Sequence, residues 1–256
     1  MKIMSFNLLC GGADGRSWTA RKDLVTDTIR KEMPDSFGVQ EAHYDWMQIL
    51  CAALPEYNYV GVGRDDGDKK GEFSAVFYKK NQYELLDSGT FWLSETPEIP
   101  GKGWDAACVR VCSWAKLKNK ENGKVFVHFN THLDHVGAVA MQKGAELVTL
   151  KAAEICPNDP AFFTGDFNVT PESEPYKTVI AGGFADARML APVTDHGVTF
   201  HADVFVNPDR ANHHCIIDYC FVKGDINVLS YKVIRDTYEG DLYPSDHFPV
   251  VAEIEF

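Results

Sequence analysis

The stretch Phe162-Phe163-Thr164-Gly165-Asp166-Phe167-Asn168-Val169-Thr170-Pro171 decides how the rest of the chain is read. An apolar run ends in a glycine, an aspartate and an asparagine follow two residues apart, and a turn with proline closes it. This predicts a buried strand that stops at a polar end. Side chains at i and i+2 of an extended chain share one side, so Asp166 and Asn168 can present a carboxylate and an amide together. Such a pair suits a site where water attacks phosphorus: the carboxylate orients or deprotonates the water, and the amide donates to phosphoryl oxygens. The competing reading is an Asx turn leaving a strand, which Asp and Asn often provide.

The flanks of this stretch carry the same pattern. Upstream, apolar residues at spacings of three and four predict a helix over 138–155, preceded by a strand over 124–130 that runs into Thr131-His132-Leu133-Asp134-His135. That strand pairs with 109–117 around the turn Asn119-Lys120-Glu121-Asn122-Gly123. Earlier still, 57–62, 73–78 and 83–92 read as strands, with 79–82 as a hairpin turn between the last two. The N-terminal part reads as a strand over 2–8, a helix over about 19–33, a strand over 37–39 followed by Gln40-Glu41, and a helix towards Leu54. Downstream come a short helix over 174–181, a polar histidine-rich stretch over 192–214, and strands over 215–222, 226–235 and 249–256. Two stretches of sheet with helices interspersed predict an α/β fold. No linker, repeat or low-complexity segment interrupts it, so residues 1–256 read as one domain.

Composition narrows the function classes. The chain has 256 residues, 45% hydrophobic and 24% charged, which is ordinary for a globular protein. A protein gripping duplex DNA over many phosphates shows a basic face. Here 25 basic residues stand against 37 acidic ones, a net charge of −12, and no basic cluster exceeds Lys69-Lys70 or Lys116-Lys118-Lys120. The balance argues against long nucleic acid but not against binding a phosphate locally through a divalent cation. The seven cysteines are scattered and odd in number, which is no disulfide framework. Cys108 and Cys112 on one strand would stand about 13 Å apart, too far to bond, and read as buried small apolar residues. The start Met1-Lys2-Ile3-Met4-Ser5-Phe6-Asn7 lacks the apolar core of a signal peptide, and no apolar run reaches membrane-spanning length. These features predict a cytoplasmic protein with no membrane association and no obligate protein partner.

Asn7, Glu41, His132, Asp166, Asn168, Asp218, Asp246 and His247 all fall at predicted strand ends or in adjoining loops. Phe6-Asn7, Gln40-Glu41, Asn130-Thr131-His132-Leu133, Gly165-Asp166-Phe167-Asn168, Ile217-Asp218-Tyr219 and Ser245-Asp246-His247 resemble, in that order, the motifs of the endonuclease/exonuclease/phosphatase family. The Asn-Thr-His-Leu form and the Trp104-Asp105 loop look closer to bacterial proteins related to nocturnin and the carbon-catabolite-repression deadenylases than to pancreatic DNase. The resemblance implies a four-layer α/β/β/α sandwich, two mostly antiparallel sheets with outer helices and a site at one end. It further implies Glu41 as principal Mg²⁺ ligand, Asn7 beside it and Asp246 at a second or alternative position, with Mn²⁺ as a substitute ion. Asp166 would act on the water, Asn168 and His132 would bind phosphate oxygens, and His247 would face the phosphate, oriented by Asp218. Which histidine is acid or base stays open.

Four further features come from the residues themselves. Arg110, starting a strand, reads as a phosphate clamp or as one half of a surface ion pair. His135 reads as a second phosphate ligand or a loop residue. Trp92 and Trp104 bracket a loop over 94–103, and Trp104 offers a stacking face to a flat substrate group unless both simply anchor the loop. His196, His201, His213 and His214 lack the spacing of structural zinc. The expected function is therefore a Mg²⁺-dependent phosphoesterase acting on a phosphorylated small molecule or short single-stranded nucleic acid. A DNA nuclease of the same fold and a non-catalytic binding module are the alternatives.

Overall fold

Strands buried on both faces set the architecture. The computed structural model describes residues 1–11, 18–202, 215–238 and 242–256. In β1 (Lys2–Asn7), β7 (Val125–His132), β8 (Ala161–Asp166), β11 (Asp218–Lys223) and β13 (Val250–Glu255), neighbouring residues enter different apolar clusters, while fully buried β2 (Ser36–Gln40) sends Phe37 and Val39 to one cluster and alternates them with Ser36, Gly38 and Gln40. Ile3, Phe126, Phe162 and Val250 meet in one cluster, while Met4 and Val251 join a second and Val127 and Phe163 a third. This is the period-two alternation of strands covered on both sides.

The three clusters are the interfaces of four layers. β10 (Val193–Thr194), β12 (Asn227–Val233), β13, β1, β2, β4 (Val76–Lys79) and β3 (Tyr57–Val60) form one sheet in that order. β5 (Tyr83–Trp92), β6 (Val111–Asn119), β7, β8, β11 and β9 (Ala185–Asp186) form the other. Both sheets are mixed: β1–β2, β10–β12 and β7–β8 are parallel and the remaining pairs antiparallel. Val25 and Ile29 of α1 (Lys22–Glu32) and Trp46 and Leu50 of α2 (Tyr44–Ala53) cover the first sheet's outer face. Ala145, Val148 and Ala152 of α3 (Ala138–Ile155), with Val179 of α4 (Glu174–Ala181), cover the second. Among the described residues no helix is long and apolar enough to cross a membrane.

The inner faces change character along the strands. Taken by twos, β1 runs Ile3, Ser5, Asn7, β7 runs Phe126, His128, Asn130, His132, and β8 runs Phe162, Thr164, Asp166. The apolar core thus gives way to polar side chains that bridge the sheets. Gln40 Nε2 donates to Asn130 Oδ1 at 2.7 Å, Thr164 Oγ1 lies 2.9 Å from the same oxygen, and His128 links Thr164 and Ser36 at 2.8 and 2.7 Å. Gly38 makes this approach feasible, because a Cβ there would stand 2.1 Å from Asn130 Oδ1.

Four sequence expectations need correction. Residues 79–82 are not a hairpin, since β4 pairs with β2 and β3 and β5 with β6, so the turn carries the chain from one sheet to the other. The strand expected over 215–222 begins only at Asp218, opposite Asp166. The stretch 192–214, read as irregular, contains β10, and ahead of it β9 and a short helix α5 (Ala187–Leu190) follow α4. Cys112 is buried, but Cys108 is half-exposed and Cys51 exposed.

Candidate active site

Register assembles the site. Across the second sheet His132 is level with Asp166 and Asp166 with Asp218, while in the first sheet Asn7 is level with Gln40, next to Glu41. Glu41 and Asn168 adopt left-handed backbone (φ 58° and 52°), as does Leu9 (φ 57°). Three non-glycine residues in this sparsely populated region at one set of strand ends mark a place where the fold imposes geometry.

Asn7, fully buried, clamps two carboxylates: its amide nitrogen is 3.0 Å from Glu41 Oε1 and 2.9 Å from Asp166 Oδ2. Its oxygen accepts Leu9 N–H at 3.0 Å, so the amide orientation is fixed. The structure therefore shows Asn7 chiefly positioning carboxylates, with only its oxygen left to face a cation. Glu41 Oε2 also accepts Cys10 N–H at 2.9 Å. Burial raises the Glu41 carboxyl, but the Cys10 N–H, the Asn7 amide and nearby His247 outweigh it and hold the group below its ordinary value.

Asp166 lies at the centre. Its Oδ1 accepts Asn168 N–H at 2.9 Å, and its Oδ2 is 3.4 Å from His132 Nε2 and 3.7 Å from His247 Nε2. His247 Nδ1 is 2.9 Å from Asp218 Oδ2. Burial opposes a charged His247 ring, yet Asp218 and Asp166 on either side prevail and raise it well above the ordinary histidine range. Burial raises Asp166 in turn, against the pull of His247. His132 goes the other way: burial and then the Arg110 charge lower it, so its imidazole is neutral. Asn168 uses one amide N–H on Leu133 O at 3.0 Å, leaving the other for the cavity.

Asp246 lines the same cavity, and its carboxyl is raised by burial and, after the opposing pull of His247, by Glu41. Two carboxylates that disfavour each other's charge beside an oxygen-rich opening fit a hard divalent cation. Glu41, Asp246 and the Asn7 oxygen could hold one. Glu41, His132 and Asp166 also bring ligand atoms within 4.8 Å of one another, as do Asp166, Asp218 and His247. Neither His196 nor His201 belongs to a metal-binding group among the described residues. His213 and His214 lie outside the described residues.

These groups open onto a cavity of 310 Å³ lined by Glu41, Asp246, Asp166, Asn168, His132 and His247 on the functional side, and by Arg64, Glu72, Cys108, Arg110, His135, Phe200 and Ile217 around it. Residues 4–247 match the Endonuclease/Exonuclease/phosphatase family. The chain belongs to this family. A family structure from Bacteroides vulgatus is 40% identical, with a TM-score of 0.92 over 100% of this chain and 98% of that one. The mannosyl-6-phosphatase Bt3783 of Bacteroides thetaiotaomicron is 36% identical, with a TM-score of 0.92 and both chains fully covered. The human nocturnin catalytic domain shares the fold at 20% identity, with a TM-score of 0.77 over 100% of this chain and 93% of that one.

Within this family fold, the structure brings together Asn7, Glu41, His132, Asp166, Asn168, Asp218, Asp246 and His247, and adds Arg110 and His135 at the cavity wall. Trp104 is not among the lining residues. It is half-buried against the outer cluster, and its backbone N–H is received by Glu95. Trp92 is buried and donates its indole N–H to Arg64 O at 2.7 Å, which makes it an anchor. Sequence reading missed Arg64, Glu72 and Arg21. Arg21, buried, donates to Leu8, Leu9, Gly11 and Pro244 carbonyls and so ties the loops carrying Cys10 and Asp246 together. An arginine directly before a helix is weak evidence alone. Arg64 within Gly61-Val62-Gly63-Arg64-Asp65-Asp66-Gly67 was the stronger signal, a lone cation in a glycine-rich loop just after a strand.

Proposed function

We propose that the chain is a Mg²⁺-dependent hydrolase of phosphate esters, with Mn²⁺ as a working substitute, acting on a small phosphorylated compound. The observation that carries this is the convergence of Glu41, Asp166 and Asp246 with His132, His247 and Arg110 on one 310 Å³ cavity. The 36% identical mannosyl-6-phosphatase supports a sugar-phosphate class. A short single-stranded nucleic acid is the other class the sequence admits, but the cavity is at the small end of ligand sites (roughly 300–1,000 Å³), and the −12 charge disfavours a polyanion.

Glu41 and Asp246 would hold the cation, whose chemistry is to neutralise the phosphoryl group and the leaving oxygen. Asp166, fixed by the Asn7 amide and Asn168 N–H, orients the attacking water and takes its proton, a role helped by the basicity that burial gives it. Neutral His132 and the remaining Asn168 N–H bind phosphoryl oxygens. His247, kept protonated and aimed by Asp218, donates to the developing charge. The water oxygen bonds to phosphorus as the ester P–O bond breaks, and the departing oxygen takes a proton from His247 or solvent.

Replacing Glu41 by Gln tests the assignment. The side chain keeps its length but turns one oxygen into a donor facing the Asn7 amide or the Cys10 N–H, so thermal melting should fall with the protein still folded, while Mg²⁺-stimulated hydrolysis in the folded variant falls at least about a hundredfold, the scale of losing transition-state charge stabilisation. Unaltered Mg²⁺-dependent turnover would sink the reading.

A further inference from the structure

Two arginines that line the cavity hold three buried guanidinium nitrogens with no hydrogen-bond partner among the described residues: Arg110 Nε and Nη1, and Arg64 Nε. Arg110 is 5% exposed. Its acid neighbour Asp134 stands 3.7 Å from Nε, beyond a hydrogen bond, and accepts backbone N–H groups of Ala107, Cys108, Val136 and Gly137 instead. His135 Nδ1, 3.2 Å away, engages Nη2. Arg64 donates through Nη1 to Glu72, and its Nε stands 3.9 Å from Asp65 Oδ1, an ion pair too long for a hydrogen bond. His132 Nδ1 is also buried and unpartnered, and His132 lines the same cavity as both arginines.

Arg64 is held where it is by its loop. Its carbonyl accepts the Trp92 indole N–H at 2.7 Å, and its N–H donates to Glu72 O at 3.1 Å. Gly71 has φ +80°, a left-handed backbone that favours glycine in this loop. Buried donors without acceptors are unfavourable. The group that satisfies several fork-shaped N–H donors at once is an oxyanion.

We propose that Arg64, together with Arg110, reads the terminal phosphoryl group of a phosphomonoester and so makes the site select monoesters over diesters, an inference that rests on the phosphoester-hydrolase reading. A terminal phosphoryl offers three non-bridging oxygens and a charge of about −1.5 to −2 at neutral pH. Its diester counterpart offers two such oxygens and one charge. With one oxygen turned to the Glu41–Asp246 end and another to His132 and Asn168, the arginines receive what remains. A diester places an organic substituent against those same buried donors and leaves them unsatisfied, which is how a site built for hydrogen bonds rejects an analogue lacking them.

The test compares kcat/KM with Mg²⁺ for p-nitrophenyl phosphate and a hexose 6-phosphate against bis-p-nitrophenyl phosphate, in the unaltered protein, Arg64→Gln and Arg64→Lys. The unaltered protein should prefer monoesters. Arg64→Gln should lower monoester turnover at least about tenfold more than diester turnover, and Arg64→Lys, a point charge without the fork, should fall between. Equal losses, or a diester preference before mutation, overturn the proposal. If Arg64→Gln does not fold, the Lys variant decides: an unchanged monoester-to-diester ratio refutes the role. Inorganic phosphate titrated calorimetrically gives a readout independent of turnover. Absence of all ester cleavage would remove the hydrolase reading, and equal phosphate affinity in Arg64→Gln would then also remove this one, whereas a loss of about tenfold or more would uphold the anion site.

Discussion

Asp166 and Asp218 face each other directly across β8 and β11, an arrangement that like charges make unfavourable. His247 resolves it, with its Nδ1 at 2.9 Å from Asp218 and its Nε2 at 3.7 Å from Asp166. The imidazole and the two carboxylates therefore act as one unit, and their removal should not be additive. In a cycle of Asp218→Asn, His247→Asn and the double variant, the double loss of log rate should be close to the His247 loss alone, a coupling of roughly 0.5–3 kcal/mol. Losses that simply sum would show the pair to be uncoupled. The sequence made these residues legible because an aspartate beside a buried strand and an Asp-His pair each demand a partner. It did not reveal that Asn7 spends its amide on carboxylates, since that depends on which way a side chain's two ends are turned.

At the scale of elements, α3 and α4 have the bounds that periodicity predicts, because apolar spacing and caps act locally; Ser173 Oγ, for example, accepts Tyr176 N–H at 3.3 Å to start α4. The turn at 79–82 misled because a tight turn tells only that the chain reverses, not which sheet the next strand joins. The loop over 94–103 stands out in the sequence for the tryptophans at its ends, but two aspartates decide its place. Asp105 Oδ1 accepts Ala140 N–H at 2.7 Å at the start of α3, and Asp134 gathers four backbone N–H groups from both sides of the junction. Burial acts to raise Asp134, and those four donors reverse the shift and hold it well below the carboxylate range. Asp134→Asn turns one acceptor into a donor among donors. We expect a loss of about 2–3 kcal/mol in unfolding free energy by urea titration, from charge-assisted bonds broken and N–H groups left buried. A loss below about 0.5 kcal/mol, the scale of ordinary surface substitutions, would mean the loop is held elsewhere.

Across the whole molecule, the two sheets are joined by an apolar core at one end and by a polar chain of Gln40, Asn130, Thr164, His128 and Ser36 toward the site. His128 is fully buried between two hydroxyls, and burial pushes its pKa down to about 3. A neutral imidazole can serve one hydroxyl as donor and the other as acceptor, whereas an imidazolium would have two donors and a desolvated charge. In the unfolded chain histidine titrates near 6.5. Between these values the unfolded state binds the extra proton, so stability is complete above about pH 6.5 and declines as pH falls toward 3. Taken from pH 8 to pH 5, this one group should remove about 2 kcal/mol. His128→Gln keeps a donor and an acceptor but cannot titrate. It should be less stable than the unaltered protein at pH 8, because the amide fits the two hydroxyls less well, yet lose about 2 kcal/mol less on going to pH 5. Urea unfolding at both pH values measures the difference, and identical pH dependence in the two proteins would show that His128 takes up its proton between the sheets as readily as in the unfolded chain.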